Sequence, residues 1–382
     1  MKKIMFLLLI SIFIFPINGY CESLDLTPNA KSSILMEVTT KEIIFEKNSE
    51  ERVSVASLTK MMGLILFFET LEQGGITYEE KVTVSENAKN MGGTQIYLET
   101  GEKISVEDLI KGIVMASAND AIVELAERLA GTEDAFIARM NAKAKELGLT
   151  NTNFKNVVGF DQDDHYSTAY DMALIAIELL KHEDILKFSS VYEDYIREDT
   201  ENKTWVVNTN KLVRFYQGAD GLKTGYDTNA GSCMAVTAKR DNLRFIAISL
   251  GYDKNTVRNE EAKAMLDYGF NIYKMNILEE KGTIIGNTKL EKAKLDTIDL
   301  VLKEDASVLE KKTDTDKKYN FETKLSDLEY PVKKGDTIGY LEIKSNGKII
   351  KKVPLVTNTT IEKAGLMFLY LKNLKEIVLG IN

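Results

Sequence analysis

Ser57 and Lys60 stand three residues apart in Ser57-Leu58-Thr59-Lys60, at the head of an apolar segment with helical spacing. A helix opening here places the lysine amine on the same face as the serine hydroxyl, one turn away. An amine with a depressed pKa can then take the serine proton, the part that histidine plays in other serine nucleophiles. Backbone N–H groups at the same helix start can stabilise an oxyanion. In isolation the pair reads better as an N-cap and an exposed helix charge. Two further short motifs raise its standing. Ser117-Ala118-Asn119 falls between two helical segments, on a loop that can turn a hydroxyl and a carboxamide into a cleft. Lys223-Thr224-Gly225 precedes a strand and would present a cation and a hydroxyl from a sheet edge, with Gly225 letting a substrate backbone approach closely. Each motif alone is weak: Ser345-Asn346-Gly347-Lys348 spells a second Ser-x-x-Lys on a hairpin turn, and Ser85-Glu86-Asn87 a second Ser-x-Asn.

The elements that must position these residues are legible as patterns. Apolar runs at Ile34 to Val38, Ile43 to Phe45, Met234 to Thr237 and Phe245 to Leu250 predict strands. Between the first and last pairs the spacing is helical: Leu58 to Leu71, Val106 to Met115, Asp120 to Ala130, Ala135 to Leu147, Thr168 to Leu180, and after the last strand Glu260 to Tyr273. Strands at both ends of a helical middle predict a sheet closed by sequence-distant partners. After about Asn276 the texture changes to short strands with turn signals, among them the Asn346-Gly347 hairpin signature. This predicts four segments: a leader at 1–21, a catalytic domain at 22–276, a small all-β domain at 277–357 and an amphipathic helix at 358–382. In that helix Leu366, Met367, Tyr370, Leu371, Leu374, Ile377 and Val378 share one side.

Composition fits two folded domains, with 44% hydrophobic and 28% charged side chains in 382 residues. The formal charge of −9 does not suit a nucleic-acid partner. Met1-Lys2-Lys3, the apolar run Ile4 to Phe15, Pro16 and the small residues Gly19 and Cys21 read as a secretory signal. Removing it leaves Cys233 as the sole cysteine, expected to be a buried strand thiol, so no internal disulfide is expected. With two histidines there is no ligand set for a metal, and no cofactor is expected. His165 is expected to shape a loop near the cleft and His182 to be exposed.

The three motifs occur in the order Ser-x-x-Lys, Ser-x-Asn, Lys-Thr-Gly, the set shared by penicillin-binding proteins and class A β-lactamases. Their flanks, Val55-Ala56-Ser57-Leu58-Thr59-Lys60-Met61-Met62, Met115-Ala116-Ser117-Ala118-Asn119-Asp120-Ala121, His165-Tyr166-Ser167-Thr168-Ala169-Tyr170-Asp171 and Asp220-Gly221-Leu222-Lys223-Thr224-Gly225-Tyr226, resemble serine-type D-alanyl-D-alanine carboxypeptidases, the low-molecular-mass penicillin-binding proteins. The resemblance runs from about Leu24 to the C-terminus. It implies an α+β fold: a penicillin-binding/β-lactamase-like transpeptidase domain, an antiparallel sheet with flanking helices and a helical subdomain, then the small β domain and the helix. It also implies removal of the terminal D-alanine from peptidoglycan stem pentapeptides through an acyl-enzyme on Ser57, and acylation by β-lactam antibiotics. Lys60 would be the general base and Ser117 would relay the proton to the leaving amine. Asn119 would hold the peptide amide, Lys223 and Thr224 the terminal carboxylate with Arg258 as a helper, and the N–H groups of Ser57 and Tyr226 would form the oxyanion hole. The enzyme would work outside the cell, on the outer face of the cytoplasmic membrane, with the C-terminal helix lying in the interface.

Departures from the family pattern are few. Val55 stands where many relatives have proline, and Tyr226 where some have histidine. Two alternatives remain open at this point. A β-lactamase of the same fold would need a glutamate-activated water, yet Glu146-Leu147-Gly148-Leu149-Thr150-Asn151 has one residue too many for the Glu-x-x-Leu-Asn pattern, and Asp120 follows Asn119 where those enzymes have Ser-Asp-Asn. A catalytically silent envelope-binding protein would not need all three motifs intact.

Overall fold

In the computed structural model, which describes residues 24–290 and 292–379, the first and last strands of the N-terminal part meet at the centre of one sheet. Its spatial order is Ile43–Lys47, Ser32–Glu37, Leu243–Tyr252, Gly231–Arg240 and Ala219–Asp227, every neighbouring pair antiparallel. All six residues of Ser32–Glu37 are buried because both faces of the sheet are covered. Ile34 and Met36 pack into the core shared with the helical subdomain, while Leu35 points the opposite way, toward Ala262, Met265 and Leu266 of helix Asn255–Ile272. The predicted closure between sequence-distant strands is therefore present, with Ile34 opposite Ile248.

Helix Lys60–Glu72 runs through the middle of the helical subdomain. Its first nine residues, Lys60 to Phe68, are all buried, as expected of a helix without a polar face. Its packing partners include Ile122 from helix Asn119–Ala130 and Phe136 from helix Glu133–Glu146; both crowd Gly63, where an added Cβ would lie 3.1 Å from Ile122. The segment expected to be helical from Val106 to Met115 is an α-helix only to Lys111. It then widens into a π-type turn over Gly112–Ala116 and ends with Ser117 in the left-handed region, φ 64°. Helix Asn255–Ile272 begins five residues earlier than the apolar spacing predicts.

That helix runs directly into strand Tyr273–Glu279, which pairs with Ala306–Lys311 and begins a second body. Its five-stranded sheet is ordered Ile284–Lys289, Thr297–Leu302, Lys348–Val356, Thr337–Ser345 and Asn320–Leu325 over a core of its own. The Asn346-Gly347 turn joins two of these strands with both residues at positive φ, 50° and 76°. Ser345-Asn346-Gly347-Lys348 is thus a surface hairpin. Ile361 is buried in this core and Ala364 just beyond it is also buried, so the C-terminal helix starts at Leu366 and not at the expected 358. Cys21, the expected leader and the last three residues lie outside the described residues. No helix among the described residues is long and apolar enough to cross a membrane.

Candidate active site

Residues 56–59 form a single 3-10 turn that runs straight into helix Lys60–Glu72. Ser57 lies on this turn and Lys60 is the first α-helical residue, so the three-residue offset brings Lys60 Nζ to 2.8 Å from Ser57 Oγ. Lys60 is completely buried, and its Nζ also donates to the Val158 carbonyl at 2.8 Å. Burial and the neighbouring Lys223 cation push its pKa well below the usual lysine value, with Asp120 opposing. The amine is therefore set up as a base. Asp120 is itself buried and accepts from the N–H groups of Ile96, Leu98 and Ala121, which ties the loop over the cleft to the helix carrying Asn119.

Opposite Ser57 runs the edge strand Ala219–Asp227. Gly225 is indispensable there for a reason the sequence did not suggest: a Cβ would sit 2.8 Å from the Ser57 backbone nitrogen and 3.1 Å from Ala56 Cβ. The crowding comes from the Ser57 turn itself. Lys223 is buried, donates to the Thr224 carbonyl at 2.8 Å, and is pushed down to about 7 by burial and by Arg258. The side chain of Tyr226, the next residue after Gly225, is 71% exposed. Arg258 is not a surface charge of the helix start. It is buried and donates to Ser232 Oγ at 2.8 Å, to the Cys233 carbonyl at 2.9 Å and to Asn259 Oδ1, and burial lowers it to about 10. Lys60, Lys223 and Arg258 have no carboxylate partner among the described residues, an arrangement that favours an incoming anion.

Ser57, Ser117, Thr224, Gly225, Tyr226 and Arg258 line one cleft of about 800 Å³, within the range of small-ligand sites. Ser117 is nearly buried at the end of the π-type turn, and its hydroxyl has no hydrogen-bond partner among the described residues. Asn119 donates its Nδ2 to the Gly92 carbonyl at 2.7 Å, so its amide is oriented by the loop above it and its Oδ1 is left available. Three contributors were not singled out in the sequence. Thr209 lines the cleft and accepts the Thr224 hydroxyl at 2.7 Å, held there between Asn208 and Asn210, which donate to main-chain carbonyls of Ser189, Val191 and Gly221. The Val158 carbonyl and the Asp120 carboxylate are the others. Only the two asparagines flanking Thr209 were a usable signal, since Asn-x-Asn is a common turn former.

His165 takes the loop-shaping place expected of it. Its Nδ1 accepts from the Lys155 N–H at 3.1 Å, so Nε2–H donates to Thr59 Oγ1 at 2.9 Å. Burial lowers its pKa to about 4, which keeps the ring neutral. His182, expected to be exposed, is buried: its ring stacks on Phe68 and its Nδ1 lies 2.7 Å from Glu72. Cys233 is a fully buried thiol within strand Gly231–Arg240, and burial raises its pKa to about 11. Among the described residues no group of side chains could hold a metal ion.

Comparison with known proteins agrees with this geometry. Residues 22–254 match the family model of D-alanyl-D-alanine carboxypeptidases, and residues 273–363 that of the penicillin-binding protein 5 C-terminal domain. The chain is 43% identical over 342 residues to the D-alanyl-D-alanine carboxypeptidase DacF of Bacillus subtilis, covering 89% of this chain and 88% of the relative. It is 30% identical to DacC of Escherichia coli, covering 88% and 85%. Among solved structures, penicillin-binding protein 5 from Haemophilus influenzae superposes with a TM-score of 0.73 at 28% identity, covering 87% of this chain and 98% of that one. Penicillin-binding protein D2 from Listeria monocytogenes, in its ampicillin-bound form, gives 0.59 at 30% identity, covering 65% of this chain and 100% of that one.

Proposed function

The chain belongs to the D-alanyl-D-alanine carboxypeptidase family, and from that premise we propose how its own residues release a terminal D-alanine. Neutral Lys60 takes the proton of Ser57 Oγ, which attacks the carbonyl of the penultimate D-alanine. The N–H groups of Ser57 and Tyr226 hold the oxyanion. The C–N bond breaks as Lys60 returns its proton through the Ser117 hydroxyl to the leaving amine, and the free D-alanine departs. Lys223, Thr224 and Thr209 hold its carboxylate, with Arg258 adding positive potential behind the edge strand. Asn119 Oδ1 accepts from a peptide N–H of the acyl part. Water then attacks the ester, the C–O bond to Ser57 breaks, and the serine regains its proton. The observation that carries this reading is the 2.8 Å approach of a buried, pKa-depressed Lys60 amine to the Ser57 hydroxyl.

β-Lactams present the same carbonyl and carboxylate, so Ser57 is the expected site of their attachment. The decisive experiment follows the intact mass of the purified protein and of Ser57→Ala after brief exposure to benzylpenicillin, beside an assay of D-alanine release from a pentapeptide. A serine-dependent adduct lasting minutes, with release lost in the variant, is the expected result. Rapid drug hydrolysis would revive the β-lactamase alternative, and an intact, inactive protein without adduct the silent binder; family membership favours neither.

The envelope setting belongs to the same proposal. Residues 1–21 act as a cleaved export signal, 22–276 as the catalytic domain, 277–357 as the β domain, and the C-terminal helix rests in the outer surface of the cytoplasmic membrane. Supporting the last point, helix Leu366–Leu379 leaves Leu366, Met367, Tyr370, Leu371 and Val378 exposed. Unchanged membrane fractionation after deletion of residues 359–382 would refute the anchor.

A further inference from the structure

Tryptophan occurs once in the 382 residues, and Trp205 is 58% exposed. A large apolar ring is usually withdrawn from water, so a lone indole left in solvent calls for a reason. Trp205 sits on a small hairpin, Glu193–Ile196 with Thr204–Val207, in which it pairs directly with Tyr195, 42% exposed. The alternate residues Ile196 and Val206 point inward and are buried, so the register fixes Tyr195 and Trp205 on the solvent side. Val207 lies on that same side, two residues along the strand from Trp205, and lines the cleft with Ser57. The aromatic face is therefore continuous with the active site, about 7 Å from its wall by strand rise.

This face is held firmly. Arg197 at the hairpin turn donates to the Ile96 and Tyr97 carbonyls at 3.0 and 3.3 Å and pairs with Glu102. Lys111 bridges Asp194 at 3.0 Å, and Asn208 N–H donates to the Tyr192 carbonyl at 2.7 Å. Lys203 covers one face of Tyr195, whereas no ring or cation among the described residues stacks on the indole. A rigid, bare aromatic surface loses little on binding a flat partner.

We propose that the Tyr195–Trp205 hairpin face is a carbohydrate platform that stacks on the amino-sugar strand carrying the stem peptide. The apolar C–H faces of β-linked pyranose rings match an exposed indole, and their hydroxyl and acetamido edges suit the Lys203 amine on the same face. Four residues of a pentapeptide lie on the acyl side of the bond at Ser57 and span at most about 14 Å, which carries the sugar end toward the rim of the cleft that Val207 lines. The proposal rests on the carboxypeptidase reading for the identity of its ligand, but its test does not need catalysis.

All indole emission comes from Trp205, which makes fluorescence the direct probe. Titrating the Ser57→Ala protein with a β-1,4-linked N-acetylglucosamine tetramer should change the emission saturably. Emission indifferent to the sugar, or a change that follows protein concentration alone and so marks self-association, would overturn the platform. In the active protein, the ratio of kcat/KM on glycan-linked pentapeptide to that on free pentapeptide should fall about three- to tenfold in Trp205→Ala and recover in Trp205→Phe. An unchanged ratio refutes the platform while leaving the Ser57 chemistry standing. Loss of D-alanine release from both substrates in the unmodified protein would refute the Ser57 chemistry instead.

Discussion

Lysine is used in two opposite ways in the two bodies of this protein. In the β domain Lys324 and Lys344 flank Glu322, while Lys352 pairs with Glu342 at 3.0 Å on the same cross-strand ladder. The Glu322 pairs are solvated and push that carboxyl down to about 2, whereas Glu342 is buried with a lysine on either side of it. In the catalytic body Lys60 and Lys223 are buried without a carboxylate partner, and their pKa values move downward. The setting sharpens the contrast. Residues 22–272 carry 27 Lys and Arg against 41 Asp and Glu, whereas residues 273–363 carry 18 Lys against 16 Asp and Glu. The more acidic body holds Lys60, Lys223 and Arg258 buried without carboxylate partners around the cleft, so chemistry follows local desolvation and not regional charge.

The largest test of that contrast is Lys60→Ala, which should lower D-alanine release on the order of a thousandfold, since it removes the proposed base. Retention of most activity would mean that burial at Lys60 is structural. Next comes acid stability. His165 is held at about 4, below its ordinary 6.5, so the unfolded chain binds a proton that the fold refuses. Its contribution is complete above pH 6.5 and is lost as the pH falls toward 4, about 3 kcal/mol in all. Thermal unfolding of His165→Gln should show a shallower pH dependence across that window, and equal slopes for both proteins would refute the assignment. Thr209→Val removes the acceptor of the Thr224 hydroxyl and should cost about three- to tenfold in kcat/KM, mainly through KM. A pure kcat effect would place Thr209 in the chemical step instead of in carboxylate binding. The smallest effect belongs to the exposed pair: Lys324→Ala takes one of two cations from Glu322 and should leave the denaturation midpoint nearly unchanged, with any small loss erased by salt. A larger change measured by denaturant titration would break the comparison from the β-domain side.

Sequence reading reached the parts whose cause is local. The Ser57–Lys60 approach follows from an offset of three at a helix start, and the Asn346-Gly347 hairpin from two residues that tolerate positive φ. It missed parts whose partners arrive from far along the chain. Val158 reaches Lys60 across 98 residues, and Arg258 reaches Cys233 across 25. His182 looked exposed beside Lys181 and Glu183, but it is covered by Phe68 from a helix more than a hundred residues earlier. The π-type turn before Ser117 was hidden for another reason. Hydrophobic spacing cannot distinguish α from π over a single turn, and that one turn sets the left-handed Ser117.

Strand Ser32–Glu37 occupies an interior place in the catalytic sheet, yet its partner Phe245–Leu250 is made more than two hundred residues later. At a synthesis pace of about 5–20 residues per second, the first strand waits roughly ten to forty seconds before its neighbour exists. During that interval the sheet cannot close and the Ser57 turn has no edge strand against which to set. The order of synthesis thus delays assembly around the proposed nucleophile until Lys223, Thr224 and Gly225 have emerged, which makes catalytic competence a late event in the life of the chain.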